Sequence, residues 1–127
     1  MSTTVKWALN LTLTGGPRLA PSGTSTVEAY EVVDVTVPGD NTPVEITLGG
    51  GGGDISLFAV TAGTYADQDL FYTVNAGVTQ YALDGPHIFI GSGATAHLDP
   101  VPTSIHVTNN TGADVEITVL TGRDATP

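Results

Sequence analysis

The sequence predicts an all-β fold: a single-domain antiparallel β-sandwich, jelly-roll-like, built from about eight or nine short strands. Three observations lead there. Apolar residues recur at every second position along most of the chain, turn residues punctuate it at short intervals, and Gly, Pro or β-branched residues interrupt every window of helical length. A period of two is the geometry of a half-buried strand, because successive side chains leave a strand on opposite faces.

The first element shows the pattern: Val5, Trp7, Leu9, Leu11 and Leu13 share one face, with Lys6, Ala8, Asn10 and Thr12 on the other. Gly15 to Gly23 (GGPRLAPSG) has loop composition. Thr26 to Val37 is a second long run in which Val33, Val35 and Val37 keep one phase and Tyr30 and Val32 the other. Two apolar phases in one strand predict a bulge, or burial on both faces, near Glu31. Pro38-Gly39-Asp40-Asn41 then turns the chain.

Val44, Ile46 and Leu48 begin a strand that ends at the glycines Gly49 to Gly53, and Ile55 to Val60 (ISLFAV) is too apolar for either face to be fully wet. A phosphate-cradling loop needs a helix N-terminus after its glycines. Here a strand follows, so the glycine run reads as a hairpin tip. Loop Thr64 to Asp69 precedes Leu70 to Val74, the turn Asn75-Ala76-Gly77, and Thr79 to Leu83. Asp84-Gly85-Pro86 leads into His87 to Ile90, and a short segment Ala94 to Leu98 follows. Pro100 and Pro102 break pairing before the last two strands. Those strands read as a hairpin with Ile105 facing Ile117, Val107 facing Val115, and loop Asn110-Thr111-Gly112. In that register His106 lies opposite Glu116.

One core suffices for 127 residues, since domains commonly run to roughly 100–150 residues. The domain is expected to span 1–127, with short arms at about 1–4 and 122–127. Thirteen acids against three bases give a net charge of −10. Scattered Lys6, Arg18 and Arg123 do not make the basic patch that phosphates require, so no direct nucleic-acid partner is expected. No apolar run approaches the roughly 20 residues of a spanning helix, and no membrane partner is expected. Nor does the start show a basic and then apolar leader, which points to synthesis in a cytoplasm. The sequons at Asn10 and Asn109 therefore read as chance in a Thr-rich chain.

The absence of cysteine removes disulfides, thiolate catalysis and Cys-ligated zinc together. His87, His97 and His106 lie in separate segments without short ligand spacing, so no metal or cofactor is expected. Asp67-Gln68-Asp69 is a fragment of a calcium loop that would need Asp84 or Asp99 as further ligands. No carboxylate pair is singled out for glycoside hydrolysis, and there is no nucleophile elbow or dinucleotide fingerprint. The chain is expected not to be an enzyme. Among the aromatics, Tyr65 and Tyr72 are the candidates for stacking on a sugar or partner, whereas Trp7, Phe58 and Phe89 belong to the core by phase.

GGGGGDISLFAVTAG (49 to 63), YALDGPHIFIGSG (81 to 93) and TSIHVTNNTGADVEITVLTGRDATP (103 to 127) together resemble small β-rich virion proteins of tailed bacteriophages, those that decorate or cement the capsid. The resemblance implies a non-enzymatic virion structural protein, made in the host bacterial cytoplasm and carried on the capsid exterior. It implies the major capsid protein as partner at capsomer junctions, and a homo-oligomer, with a trimer favoured. The alternative is a glycan- or host-binding module of a phage fibre or tail. Partner contacts are expected in segments that one core does not explain: Met1 to Thr4, the loop with Arg18 and Leu19, the loop around Tyr65, the stacking candidate Tyr72, and the tail with Arg123. A guanidinium can fork onto a partner carboxylate, which gives Arg18 and Arg123 particular weight.

Overall fold

Strand β5 (Ala29–Val37) pairs along its length with the last strand, β12 (Val115–Asp124), and this long-range pairing organises the molecule. The computed structural model describes residues 3–48, 54–98 and 101–124. Between these two strands lie β6 (Val44–Thr47), β7 (Asp54–Ala62), β8 (Leu70–Val74), β9 (Tyr81–Ala82), β10 (His87–Ile90), the single-turn helix α1 (Ser92–Thr95) and β11 (Ser104–Asn109). They form two four-stranded antiparallel sheets. Sheet I has the order β10-β7-β12-β5 and sheet II the order β6-β11-β8-β9.

The pairing is nested: β5 with β12, β6 with β11, β7 with β10, β8 with β9. A long hairpin rolled up so that successive pairs fall in alternate sheets is the jelly roll. The all-β sandwich expected from the period of two is thus the fold. Among the described residues there are twelve strands, more than the eight or nine expected: eight form the sandwich and four lie outside it.

Val37, Phe58, Val60, Leu70, Ile105 and Ile117 are among the fully covered side chains between the sheets. Each such residue contributes roughly 1.5–3 kcal/mol by leaving water. Phe58 and Phe89 meet at a centroid distance of 6.2 Å, within the range favoured by tilted aromatic pairs. Strand β7 buries Leu57 as well as Phe58, as its unbroken apolar run requires.

The final hairpin does not form. Strands β11 and β12 lie in opposite sheets: Ile105 pairs with Ile46 and Val74, whereas Ile117 pairs with Val35 and Ala62. Two strands with one apolar face each can satisfy it side by side or by facing each other, and here they face. Asn109 fixes the crossing. Its Nδ2 donates to Val37 O at 3.0 Å and Ala113 O at 2.7 Å, and its Oδ1 accepts from Thr111 N and Oγ1. Asn109 is fully buried, so the folded chain offers no glycan acceptor there. His106 consequently lies opposite Glu45, at 3.6 Å, and not opposite Glu116.

Two further expectations change. The register of β5 against β12 is unbroken from Ala29 to Val37, and Tyr30 and Val32 are exposed, so neither a bulge near Glu31 nor burial on both faces accounts for the second apolar phase. The irregularity lies instead in the pairing of β12 with β7, where Ser56 is skipped between Gly122 and Arg123. Ser92–Thr95 is a helical turn, from which Thr95 Oγ1 donates to Ile55 O at 2.7 Å. The glycine run Gly49 to Gly53, Asp99, Pro100, Met1, Ser2 and the tail beyond Asp124 lie outside the described residues.

Candidate functional site

Residues 3–27 build something other than the sandwich. Strands β1 (Thr3–Ala8) and β4 (Ser22–Val27) pair with Thr3 opposite Val27 and Ala8 opposite Ser22. Strands β2 (Leu11–Thr12) and β3 (Arg18–Leu19) pair with Leu11 opposite Leu19 and Thr12 opposite Arg18. Leu9 N donates to Pro21 O and Leu13 N to Pro17 O, which bridges the two pieces in the same register. The result is one long ribbon turning at Gly15, whose φ is 72°. Residues expected to be loop, Gly15 to Gly23, include its returning strand.

The period of two survives along the ribbon but faces water. By register Val5, Trp7, Leu9, Leu11, Leu13 and Leu19 fall on one side, and Leu11 is 60% and Leu13 54% exposed. Val27, at the ribbon's root, is the exception. It is buried over Gly122 and Leu57 on the outside of sheet I. Trp7 is half-covered, lies against Gly23, and keeps a buried Nε1 without a hydrogen-bond partner.

A second apolar surface lies on the outer face of sheet I. Ile88 of β10 is opposite Ala59 of β7, Ala59 is opposite Leu120 of β12, and Leu120 is opposite Val32 of β5. The next row runs Ile90, Leu57, Gly122 and Tyr30. Val32 is 51% and Tyr30 58% exposed. Beyond these rows the face turns polar: Thr118 Oγ1 donates to Asp34 and Thr36 Oγ1 to Glu116, both at 2.6 Å. Runs of apolar side chains from four strands on one exposed face are the composition of a contact surface.

Charge divides the molecule in the same way. Positions 1–27 contain Lys6 and Arg18 and no acid, whereas 28–127 contain all thirteen acids and a single base, Arg123. The ribbon is therefore +2 and the remainder −12. That division is legible in the sequence as a signal, but the total charge conceals it.

A pocket of about 380 Å³ opens where β8, β9, β10 and the segment just after α1 meet. Tyr72, Tyr81, His87, Phe89 and His97 line it. The Tyr72 ring lies 5.6 Å from Tyr81 and 5.5 Å from the His87 imidazole. Its hydroxyl is 2.7 Å from His87 Nδ1. Burial, reinforced by Tyr81, pushes the Tyr72 hydroxyl well above its usual range, so the phenol beside His87 stays neutral. Sequence reading keeps His87 and His97 apart; the fold brings both to one cavity. Among the described residues no group of three or more His, Asp or Glu converges as a metal set would.

The expected contact residues are thus dispersed. Arg18 and Leu19 sit on the ribbon and Leu19 is exposed. Tyr65 is partly exposed in the loop between β7 and β8. Tyr72 is 2% exposed, so its ring is a wall of the pocket and not a surface platform. Arg123 is buried within β12, which reaches Asp124 and so includes the start of the segment expected to be an arm. Comparison with known protein families, curated proteins and solved structures returns no match.

Proposed function

We propose that this chain is a non-enzymatic virion structural protein of a tailed bacteriophage, a capsid decoration or cement protein. It is made in the host cytoplasm and binds the outer capsid surface, to the major capsid protein at capsomer junctions. The observation that carries this reading is the ribbon: a strand pair whose leucines lie outside the chain's own core. Apolar side chains held in water on an ordered arm gain free energy only when a neighbour covers them. A ligand selective for the assembled shell stabilises that shell by mass action. The resemblance of three stretches to phage decoration proteins supplies the identity of the neighbour.

The test uses expanded capsids of the encoding phage, prepared without this protein. Saturable binding and a rise in the shell's resistance to heat or chelators are expected, and a chain that binds no capsid ends the proposal.

The pocket favours one second reading, a glycan-binding module of a fibre or tail. Partly exposed Tyr81 beside two imidazoles provides a ring face and polar edges, the pairing that sugars use. Glycan-array binding abolished by Tyr81→Ala or Tyr65→Ala, with no capsid binding, would select it.

A further inference from the structure

We infer that the ribbon of one copy docks, apolar side down, on the outer face of sheet I of a second copy. This rests on the assembly role proposed above and names the partner of the ribbon. Charge complementarity selects the occupant. The ribbon carries +2 and no acid, while the body that presents the face carries −12. Asp34 and Glu116 lie on that same face, next to the apolar rows.

Shape agrees with charge. Leu9, Leu11, Leu13 and Leu19 form a narrow apolar strip by register, and the two rows from Ile88 to Val32 and from Ile90 to Tyr30 form a strip across four strands. The ribbon's leucines are exposed in the single chain, as are Ile88, Val32 and Tyr30 of the face, whereas Leu57 and Gly122 lie under the copy's own Val27. The ribbon is pinned at its root, where Val27 covers Gly122 and Leu57, and beyond it the leucines remain uncovered by their own sandwich. A second copy offers the missing surface to both strips at once.

Lys6 and Arg18 fall on the ribbon's other side by register, so they act as a field that steers and orients the approach, with no buried ion pair required. The contact is heterologous, a ribbon on one copy and a face on the next. Such contacts close as a reciprocal pair or a ring where the rotation between copies closes, and otherwise run on as an open filament. A ring of three would place three faces and three ribbons around one axis, the form suited to a junction of capsomers.

Sedimentation velocity on the full-length chain tests this. The wild-type protein is expected to be a closed oligomer whose association weakens several-fold as salt rises. Leu11→Glu in the ribbon and Val32→Glu in the face are each expected to give monomers with an unchanged β-sheet circular dichroism spectrum. Mixed one to one, they should recover a heterodimer, because one variant keeps an intact face and the other an intact ribbon. The chain has no cysteine, so spin labels on Leu11→Cys and Val32→Cys, carried on separate copies in the mixture, read the contact directly. Dipolar coupling between them is expected. A monomeric wild-type chain, an oligomer indifferent to both lesions, or labels without coupling overturns the inference. A monomer that still binds capsids overturns it while leaving the cement reading standing; an oligomer that binds none does the reverse.

Discussion

Val27 rests directly over Gly122: a Cβ added at Gly122 would stand 2.9 Å from Val27 Cγ1 and 3.0 Å from Leu57 Cβ. The missing side chain is what lets the ribbon's root seat on sheet I. Gly122→Ala should therefore destabilise the fold by about 1–3 kcal/mol through overpacking. In urea unfolding, adding Val27→Ala should recover part of that loss. Strictly additive costs in the double-mutant cycle would show that the two positions do not press on each other.

Asn109 holds the crossing between the sheets by directing both amide hydrogens at carbonyls, Val37 O and Ala113 O. Asn109→Asp replaces that donor with an acceptor in a fully buried position. The expected cost is about 2–4 kcal/mol, from repulsion and lost hydrogen bonds. Chemical denaturation reads it, and a shift within error of wild type would remove Asn109 from the account of the crossing.

Tyr72 predicts a pH dependence with a definite sign. Its native hydroxyl holds the proton above its ordinary pKa of 10.0, because burial, and then Tyr81, disfavour the phenolate. The unfolded chain then binds fewer protons than the native one at alkaline pH, so stability contributed here is intact below pH 10 and falls as pH rises past it. Tyr72→Phe should lose about 0.5–1.5 kcal/mol at neutral pH with the His87 hydrogen bond, and should decline less steeply in alkali. Parallel alkaline melting curves for the two proteins would contradict this.

The turn after β8 carries a removable strain. Asn75 and Ala76 both have positive φ, 55° and 57°, around the Gly77 N to Val74 O hydrogen bond. Asn tolerates that region and is retained by bonds to Thr103, Ser104 and Val101, whereas Ala gains nothing from it. Ala76→Gly is expected to raise stability by up to about 1 kcal/mol, read as a higher melting temperature.

Core and ribbon should separate cleanly in mutagenesis. Phe58→Ala is expected to cost about 3–5 kcal/mol, since the ring is fully buried against Phe89. Leu11→Ala should cost less than about 0.5 kcal/mol in the dissociated chain, because its side chain is already in water. Equal losses at the two sites would mean that the ribbon is part of the folding unit.

Alternation in Val115, Ile117 and Val119 or in Ile105 and Val107 announces a strand with one apolar face, and both strands exist with those faces inward. What alternation does not encode is the surface that covers the face. A neighbour in the same sheet, the opposite sheet and another molecule all satisfy the same pattern. Hence the final hairpin was misread, and Val5 to Leu13 carried the strongest alternation in the chain while lying outside its core. Arg18 and Leu19 lie on the ribbon, outside the core, where the loop reading of Gly15 to Gly23 also left them. Tyr72 and Arg123 carry polar tips that give no sign in the sequence of how deeply their side chains are buried.

The nested pairing also sets an order of events. Ala29 must find Arg123 and Val37 must find Val115, so the outermost pair of the roll cannot zip until the last strand has been synthesised. Sheets with such distant partners fold in milliseconds to seconds, whereas a hairpin closes in roughly 1–10 μs. The ribbon is the hairpin. During synthesis the whole ribbon emerges before the sandwich exists, so its apolar side spends that interval without even the surface that seats Val27 at its root.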